Sequence, residues 1–506
     1  MSGMGRSSYD DLVVGAGTAG LTAALLLARF GRSVLLAESA PAPGGGLRRF
    51  RRGGAAFDTG FHFSGSVRHG ELFDHLLTQL GVRDAVALVP YDASRAHRFR
   101  FARLQAELEV PAGLEAACAA WQSRFPSEAE AIAWYFAALR SIAERTTGMS
   151  PGGPLRPFGM LDEDFVSLRS VLDRRFRDPV LKGAISAFAM CHGSPPARVS
   201  FAAHARVAYG LHQSVGTLAG GGDALAGALV EAALREGVEI RCGCRLEAFD
   251  EIADGQPRRA RFANGDHVSF GRCLMTLDPA QILEKLAPVG PSPAFRDRVR
   301  AFEPSVGFFV AYGVVGGTAP LPAFGRSIHS DFPETDFDAM MDPAAPGERP
   351  LVVIEVPPDD AAGVPPTLSA LELAFPQDVA AWADSRVGRR PDAYYDYKRR
   401  RAGAIQARLG RMLPYAERVT WVETASMLTF RDYLGSSCGS AYGILQQVGQ
   451  YGLFGRLPGR NLYAAGQSAL LPGVLGAMMS GFLAARLMVG RERFDAALLD
   501  REGVHA

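Results

Sequence analysis

The sequence predicts an α/β fold built from two intertwined domains, and three observations support this prediction. Residues 12–38 combine short apolar runs with a glycine-rich turn and a helical segment. The chain has 506 residues, more than a single hydrophobic core usually serves. It also contains 57 glycines, well above the usual share, which indicates many tight turns and close backbone approaches.

A βαβ unit is predicted near the N-terminus. Residues 12–14 form an apolar strand, residues 21–30 a helix that ends at Gly31, and residues 33–37 a second buried strand. The pattern GxGxxG occupies residues 15–20, between the first strand and the helix. In this context the pattern typically binds a dinucleotide, because the helix N-terminus and backbone N–H groups face the pyrophosphate. A glycine-rich turn without a ligand is the structural alternative.

The glycines of this pattern have separate expected roles. Gly15 would form the tight turn, Gly17 would let a phosphate approach the backbone, and Gly20 would let the helix pack on the strand. Glu38 follows the second strand, where a carboxylate can accept hydrogen bonds from ribose hydroxyls.

Composition and charge argue against several other functions. Lys+Arg number 54 and Asp+Glu 53, so the net charge of +1 creates no field that attracts nucleic acid or an anionic membrane. The six cysteines form no CxxC pair and the histidines are scattered, so neither a disulfide framework nor a metal site is predicted. No Gly-x-Ser-x-Gly turn occurs, so hydrolysis has no support.

The uncharged stretch at residues 12–28 could be mistaken for a signal peptide or a membrane span. Asp10 and Asp11 stand where a signal peptide has positive charge, and the glycines follow the βαβ spacing. We therefore expect a cytoplasmic protein, with peripheral contact to a membrane left open.

Residues 81 to about 190 are predicted to be mainly helical, and residues from about 305 to 430 mix strand-like runs with Pro-rich loops. Asn264-Gly265 lies between two apolar runs and predicts a hairpin. The other predicted elements are a helix at 71–80, a helix at 225–236, strands at 238–240, 306–315 and 351–356, a helix at 394–413, a strand at 461–465 and a helix at 475–489.

Five segments in the same order make the sequence resemble a group of flavoproteins. This group comprises the phytoene desaturases, carotene isomerases and retinol saturases, within the wider amine-oxidase-like superfamily. The segments are the βαβ opening and residues 44–62, 220–240, 439–443 and 461–481. The resemblance implies a discontinuous Rossmann-type FAD-binding domain with a second, mixed α+β substrate-binding domain. We place the first at residues 1–75, 200–290 and 445–506, and the second at residues 76–199 and 291–444.

The resemblance also implies which residues contact FAD. Gly44 and Gly45 would add a second contact to the pyrophosphate, Val238 would hold adenine through its backbone, and Gly466 with Gln467 would contact the ribityl–phosphate part. The N-terminus of the helix near residue 474 would face the pyrimidine end of the flavin, where the reduced ring gathers negative charge. The full set of expected cofactor contacts is Gly15, Gly17, Thr18, Ala19, Gly20, Glu38, Gly44, Gly45, Arg48, Val238, Gly466, Gln467, Gly473, Val474 and Leu475.

Two departures from the pattern of this group concern function. Many relatives place Arg directly after the double glycine, where this chain has Gly46, so Arg48 or Arg49 would supply the cation. Amine oxidases end their C-terminal motif with Gly-Glu and commonly use an active-site lysine. Here the motif ends with Gln467, and the lysines lie outside the matching segments.

The candidate catalytic residues are His62, His192 and Tyr442. His62 follows a turn that should lie near the flavin and could donate a proton or form a wall of the substrate site. A histidine that simply packs beside a turn is an equally good interpretation. His204 and His212 are further candidates to line a substrate tunnel.

The resemblance implies hydride chemistry at the double bonds of a long, apolar polyene or isoprenoid. The flavin could form a double bond, saturate one or isomerise one, and the Gln467 variant favours the last two. Two rivals remain: a flavin amine oxidase and a non-catalytic prenyl-lipid carrier of the same architecture. The sequence does not indicate an oligomeric state.

Overall fold

The computed structural model of the protein describes residues 6–149, 159–321, 324–357 and 364–502. The strands are β1 (Ser8–Val14), β2 (Val34–Ala37), β3 (Arg49–Arg52), β4 (Ala55–Asp58), β5 (Ser64–Gly65), β6 (Leu88–Pro90), β7 (His97–Phe101), β8 (Ala106–Val110), β9 (Val215–Leu218), β10 (Glu239–Arg241), β11 (Leu246–Ala253), β12 (Gln256–Phe262), β13 (His267–Met275), β14 (Gly307–Val315), β15 (Ile328–Phe332), β16 (Leu351–Val356), β17 (Thr367–Ala374), β18 (Val419–Ala425), β19 (Gly455–Arg456) and β20 (Leu462–Ala464).

The α-helices lie between these strands and at the C-terminal end. They are α1 (Thr18–Arg29), α2 (Leu72–Gln79), α3 (Leu114–Arg124), α4 (Ala129–Arg145), α5 (Leu168–Arg175), α6 (Pro179–Ser186), α7 (Ala189–His192), α8 (Phe201–Gln213), α9 (Gly221–Arg235), α10 (Pro279–Lys285), α11 (Pro293–Arg300), α12 (Phe337–Met340), α13 (Asp392–Leu409), α14 (Met427–Leu434), α15 (Gly473–Val489) and α16 (Arg491–Glu502). This mixture of helices and sheets confirms the α/β prediction.

The first large sheet has eight strands and contains a Rossmann-type core. Its parallel strands lie in the order β10-β2-β1-β13-β20, which is the strand order 3-2-1-4-5 of a nucleotide-binding unit. β11 and β12 extend the sheet through an antiparallel meander that includes the predicted hairpin at Gly265. The last three residues of β1 and all of β2 are apolar and buried, and helices α1, α9 and α15 cover this part of the sheet.

The second large sheet has seven strands in the order β18-β14-β17-β16-β15-β7-β8. Helices α3 to α8 pack toward one of its faces, and α13 covers the other. We call the first of these the inner face. Its pairs are antiparallel except β7–β15, which is parallel.

The prediction that the part up to residue 190 is mainly helical was incomplete. β6, β7 and β8 precede its helices, and β7 and β8 form one edge of the seven-stranded sheet. The segment His97–Phe101 alternates buried and half-buried side chains, as a strand with one covered face does. The division into two domains, with its boundaries, remains a prediction.

Candidate active site

Two cavities meet between the two large sheets. We call the first the groove: it has a volume of about 280 Å³ and lies at the carboxyl ends of β1, β13 and β20, where α/β sheets bind ligands. The second, the chamber, has a volume of about 180 Å³ and lies against the inner face of the seven-stranded sheet. Both cavities are lined by Gly60, His62, Phe308, Leu371, Tyr442, Gly473 and Val474.

The glycine fingerprint has the geometry that a pyrophosphate site requires. Gly15 has a φ of +100°, which side chains rarely adopt, and a Cβ on Gly20 would overlap the carbonyl oxygen of Gly15. At Gly17, which lines the groove, no atom lies within 4 Å of where a Cβ would stand. Thr18 and Ala19 follow in the first turn of α1 and also line the groove. Their backbone N–H groups therefore lie where an anionic group would be stabilised.

Glu38 and residues 44–46, which we call the second glycine loop, support the backbone of this fingerprint. One carboxylate oxygen of Glu38 accepts a hydrogen bond from the Ala16 amide at 2.8 Å. The Gly44 amide donates to the carbonyl oxygen of Ala16 at 2.7 Å. A Cβ on Gly45 would lie 3.1 Å from the Cα of Gly17, so only glycine fits this approach comfortably. The two loops thus form a continuous main-chain surface of the kind that a dinucleotide needs.

The two candidate arginines differ in what they contact. Arg49 lies 3.5 Å from the carboxylate of Asp58 and donates to the Ala56 carbonyl at 3.0 Å. Arg48 donates to the carbonyl of Gly45 at 3.3 Å and thereby supports the second glycine loop. Arg48 does not line the groove, so it would have to reorient to contact a phosphate. Asp58 also accepts a hydrogen bond from the Gly222 amide at 2.7 Å and fixes the start of α9.

The C-terminal motif closes the other side of the groove. The Gly466 amide donates to the hydroxyl oxygen of Ser480 at 2.8 Å, and Gln467 lines the groove. Helix α15 begins at Gly473, with Val474 on both cavities and Leu475 on the chamber. The first turn of α15 therefore stands at the junction of the two cavities, as expected for a helix that faces a flavin ring.

Val238 lies outside the residues that line the two cavities. It is buried between α9 and β10, and its amide donates to the carbonyl of Ala233 at 3.0 Å. An adenine contact at Val238 would therefore have to use its carbonyl oxygen.

His62 is the predicted catalytic residue whose position best suits chemistry. Its side chain lines both the groove and the chamber. Burial lowers the pKa of His62 to about 4, so the imidazole is neutral at pH 7. A neutral imidazole can donate one proton and accept another at the junction of the cavities.

Tyr442 also lines both cavities, but its hydroxyl group is already engaged. It donates to the carbonyl oxygen of Met190 at 2.7 Å, and burial raises the pKa of Tyr442 well above its usual value. Its ring packs so closely on Gly193 that a Cβ there would lie 2.6 Å from the ring. Tyr442 is thus a rigid wall of the site rather than a group that exchanges protons.

His192 is placed differently from the prediction, because its side chain lines neither cavity. It is buried, and its Nε2 lies 3.4 Å from Nδ1 of His204, whose own Nε2 lies 3.1 Å from the hydroxyl of Tyr135. His212, also buried, contacts the rings of Trp121 and its aromatic neighbours. These three histidines belong to the core behind the chamber, whose local packing the sequence does not reveal.

The residues on the sheet side of the chamber were not predicted from the sequence. Phe308 and Leu371 line both cavities, and His97 and Ser330 line the chamber farther along the sheet. The two-residue alternation of β7 was the available signal for His97. The others become neighbours only through strand pairing.

Within the described ranges, no group of three or more His, Cys, Asp or Glu side chains could hold a metal ion. In the same part of the chain, no single helix is long and apolar enough to span a membrane. Only α15 and the start of α16 together reach the required length and composition, and they are bent by 118°.

A Rossmann-type sheet, glycine loops that converge on one groove and an adjoining chamber define a nucleotide-dependent oxidoreductase. The family of flavin containing amine oxidoreductases matches residues 18–370. The chain therefore belongs to this family of flavin-dependent oxidoreductases.

Similar proteins include enzymes of retinoid and carotenoid chemistry. The chain is 22% identical to an all-trans-retinol 13,14-reductase of Macaca fascicularis, over 96% of this chain and 86% of that protein. It is 30% identical to a hydroxyneurosporene desaturase of Rubrivivax gelatinosus, over 52% of each chain. The crystal structure of an oxidoreductase from Methanosarcina mazei has the same fold, with a TM-score of 0.65 and 16% identity, over 94% of this chain and 99% of that one.

Proposed function

We propose that the protein is an FAD-dependent oxidoreductase that acts on carbon–carbon double bonds of a long, apolar polyene or isoprenoid. The observation that carries this proposal is the junction of the two cavities. A chamber with mainly apolar walls meets the groove at His62, Tyr442 and the first turn of α15. A substrate held in the chamber would therefore reach the reactive edge of a cofactor held in the groove.

The glycine loops support FAD as the dinucleotide. The groove is lined by Gly17, Thr18 and Ala19 of the fingerprint and by Gly46 and Leu47, which follow Gly44 and Gly45, so both loops would offer backbone contacts to a pyrophosphate. The first turn of α15 would supply N–H groups at the other end of the groove, where a reduced flavin carries negative charge. A nicotinamide dinucleotide has no such need at that position.

The chamber favours a hydrocarbon over an amine. No Asp or Glu is among the described residues that line it, so a protonated amine would lack a counter-ion. The lysines are not among its lining residues either. Burial of apolar surface is the main source of binding energy that such a chamber offers, at roughly 25 cal/mol per Å². The relatives named for retinol reduction and hydroxyneurosporene desaturation also support an unsaturated apolar substrate.

Each wall of the junction would have a separate task. FAD, when bound, supplies hydride transfer. His62 would hold or give a proton beside the reacting double bond, Tyr442 would fix the substrate plane, and Phe308 with Leu371 would exclude water. We favour saturation or isomerisation over desaturation, because Gln467 stands where amine oxidases have glutamate.

The test is a product analysis under anaerobic conditions. Purified protein should be yellow and release FAD on denaturation. Reduced protein incubated with all-trans-retinol or a linear carotenoid should give a product heavier by H₂ for saturation, or of unchanged mass and shifted retention for isomerisation. Oxidised protein that gives a product lighter by H₂ would indicate desaturation. Peroxide production with amines and no change in any polyene would overturn the proposal in favour of an amine oxidase, and colourless protein without FAD would favour a lipid carrier.

The partners that we propose are the apolar substrate and, in a cytoplasmic protein, the surface of the membrane that stores it. Such a substrate partitions into lipid, so collection at a membrane surface would avoid its transfer through water. Flotation of the protein with phosphatidylcholine vesicles, with and without dissolved carotenoid, would test this contact. Recovery of all the protein at the bottom of the gradient would contradict it.

A further inference from the structure

The inner face of the seven-stranded sheet forms one long wall of the chamber. Phe308 on β14 and Leu371 on β17 stand at the groove end of this wall. Val352 on β16 lies opposite both Leu371 and Ser330, and Ser330 lies on β15. β7, with His97, follows β15. With strands about 4.8 Å apart, His97 lies three strand spacings, or about 14 Å across the sheet, from β17, the strand of Leu371.

Most polar side chains that line the chamber already have partners. Ser64 donates to the carbonyl of Gly65, Ser66 to the side chain of Gln213, and Tyr442 to the carbonyl of Met190. Arg206 forms a two-pronged ion pair with Asp164, with N–O distances of 2.7 and 2.8 Å. His62 stands at the groove. This leaves the thiol of Cys191, which is only a weak hydrogen-bond donor, and the two sheet residues His97 and Ser330.

His97 presents a hydrogen-bond acceptor to the chamber. Its side chain is only 3% exposed, and its Nε2 lies 3.4 Å from the carbonyl oxygen of Leu211. A carbonyl oxygen can only accept, so Nε2 carries the proton and Nδ1 has a lone pair. Burial lowers the pKa of His97 to about 4, which keeps this ring neutral. Among the described residues, Nδ1 has no other partner.

Ser330 adds a hydroxyl group beside this acceptor. It is 4% exposed, and none of the described residues forms a hydrogen bond with its hydroxyl. Its paired residue on β7 is Phe99, two positions from His97, so the two polar residues occupy diagonal positions on neighbouring strands, with backbones about 8 Å apart. Because Ser330 lines the chamber and its oxygen is not fully enclosed by protein, the hydroxyl is open to a hydrogen bond from or to a ligand there.

We propose that His97 and Ser330 bind a hydroxyl group at the end of the apolar substrate that is remote from the reacting double bond. The proposal rests on the proposed function and names its substrate class: apolar, unsaturated alcohols. The substrate hydroxyl donates to Nδ1 of His97 and accepts from Ser330. A hydrocarbon leaves both groups unpaired, and a carbonyl leaves Nδ1 unpaired. A substrate that ends in a carboxylate would find no free cation in the chamber, because Arg206 is paired with Asp164.

The experiment measures binding of two matched probes to the FAD-loaded protein. All-trans-retinol and its deoxy hydrocarbon differ only in the hydroxyl group. Each is titrated anaerobically, and binding is read from the change in flavin absorption. The wild-type protein should bind the alcohol at least tenfold more tightly than the hydrocarbon. Ser330→Ala and His97→Phe should each reduce this ratio about tenfold through the alcohol alone, whereas His97→Asn, which keeps an acceptor, should retain part of it.

Val352→Ala is the matched control, because it enlarges the same wall without changing a polar group. It should weaken both probes equally. Equal binding of the two probes by the wild-type protein would overturn the end-group proposal and leave the proposed function intact. The same conclusion would follow if Ser330→Ala, the more conservative variant, left the ratio unchanged. Failure of both probes to perturb the flavin, together with no turnover of any polyene, would overturn the two proposals together.

Discussion

The groove and the chamber share seven residues but are made of different parts of the chain. Main-chain atoms at glycine turns form much of the groove, and side chains that project from a sheet form the long wall of the chamber. A ligand of the groove is therefore recognised by amide groups whose positions depend on backbone geometry. A ligand of the chamber is recognised by the size and polarity of individual side chains. Substitutions should accordingly abolish ligand binding in the groove, whereas in the chamber they should change which ligand binds and how tightly.

The sharpest test of this contrast is Gly20→Ala. A Cβ at this position would overlap the backbone of Gly15, which cannot swing aside as a flexible side chain would. We expect loss of nearly all bound flavin, measured as the ratio of flavin to protein absorbance. Gly227→Ala is the control: it lies in α9 of the same region, where nothing lies within 4 Å of the added carbon. It should keep its flavin and gain about 0.5–1 kcal/mol of stability. A yellow Gly20→Ala protein would show that the fingerprint is not needed.

Acid should weaken the chamber side of the molecule. Burial lowers the pKa values of His62 and His97 to about 4 and those of His192 and His212 to about 3. Unfolded histidine titrates near 6.5, so below that pH the unfolded chain binds protons that the native protein does not. The free energy of unfolding should fall as the pH drops from 6.5 toward 4, by up to about 1.4 kcal/mol per pH unit for each histidine.

Urea unfolding between pH 7.5 and 5 would measure this dependence. His212→Leu should make the pH dependence of the unfolding free energy shallower by the equivalent of one proton, because it removes one buried ring that titrates. The substitution loses no hydrogen bond among the described residues, since neither ring nitrogen of His212 has a partner there. A stability that does not vary over this range would contradict the burial of these rings.

A change at Glu38 should be milder than one at Gly20. Glu38→Gln keeps the shape of the side chain and removes the charge that strengthens its hydrogen bonds to backbone amides. We expect flavin binding about tenfold weaker, measured by titration of the apoprotein with FAD. Glu236→Gln, an exposed partner of Arg29, should leave the affinity unchanged. Equal affinities of the two variants for FAD would show that Glu38 does not contribute to FAD binding.

The smallest effect is expected at Tyr442. Its hydroxyl is held by the Met190 carbonyl, so Tyr442→Phe should change turnover of a polyene by less than tenfold while costing about 1 kcal/mol of stability. A proton donor would instead show a loss of roughly 10²-fold or more. The pH profile of turnover separates these outcomes, since a wall residue does not alter its shape.

The contrast between the groove and the chamber also explains which parts of the site the sequence could predict. The roles of Gly15, Gly17 and Gly20 depend on residues within one short segment, and local spacing specifies them. His62 was found because it follows a turn that the resemblance places near the flavin. Ser330 and Leu371 line the chamber only because β15, β16 and β17 pair in one register, and no local pattern encodes that register. His192 shows the converse: it was predicted to be catalytic, but its side chain lies in the core and lines neither cavity.

The interleaving of the two large sheets has a consequence for biosynthesis. β1 pairs with β13, which in turn pairs with β20. In the other sheet, β7 pairs with β15, which lies more than 200 residues later in the chain. A nascent chain therefore exposes unpaired strand edges until residues beyond 464 have left the ribosome. Such edges recruit other chains, so this protein should depend on chaperones during its synthesis more than a protein of equal size with consecutive domains.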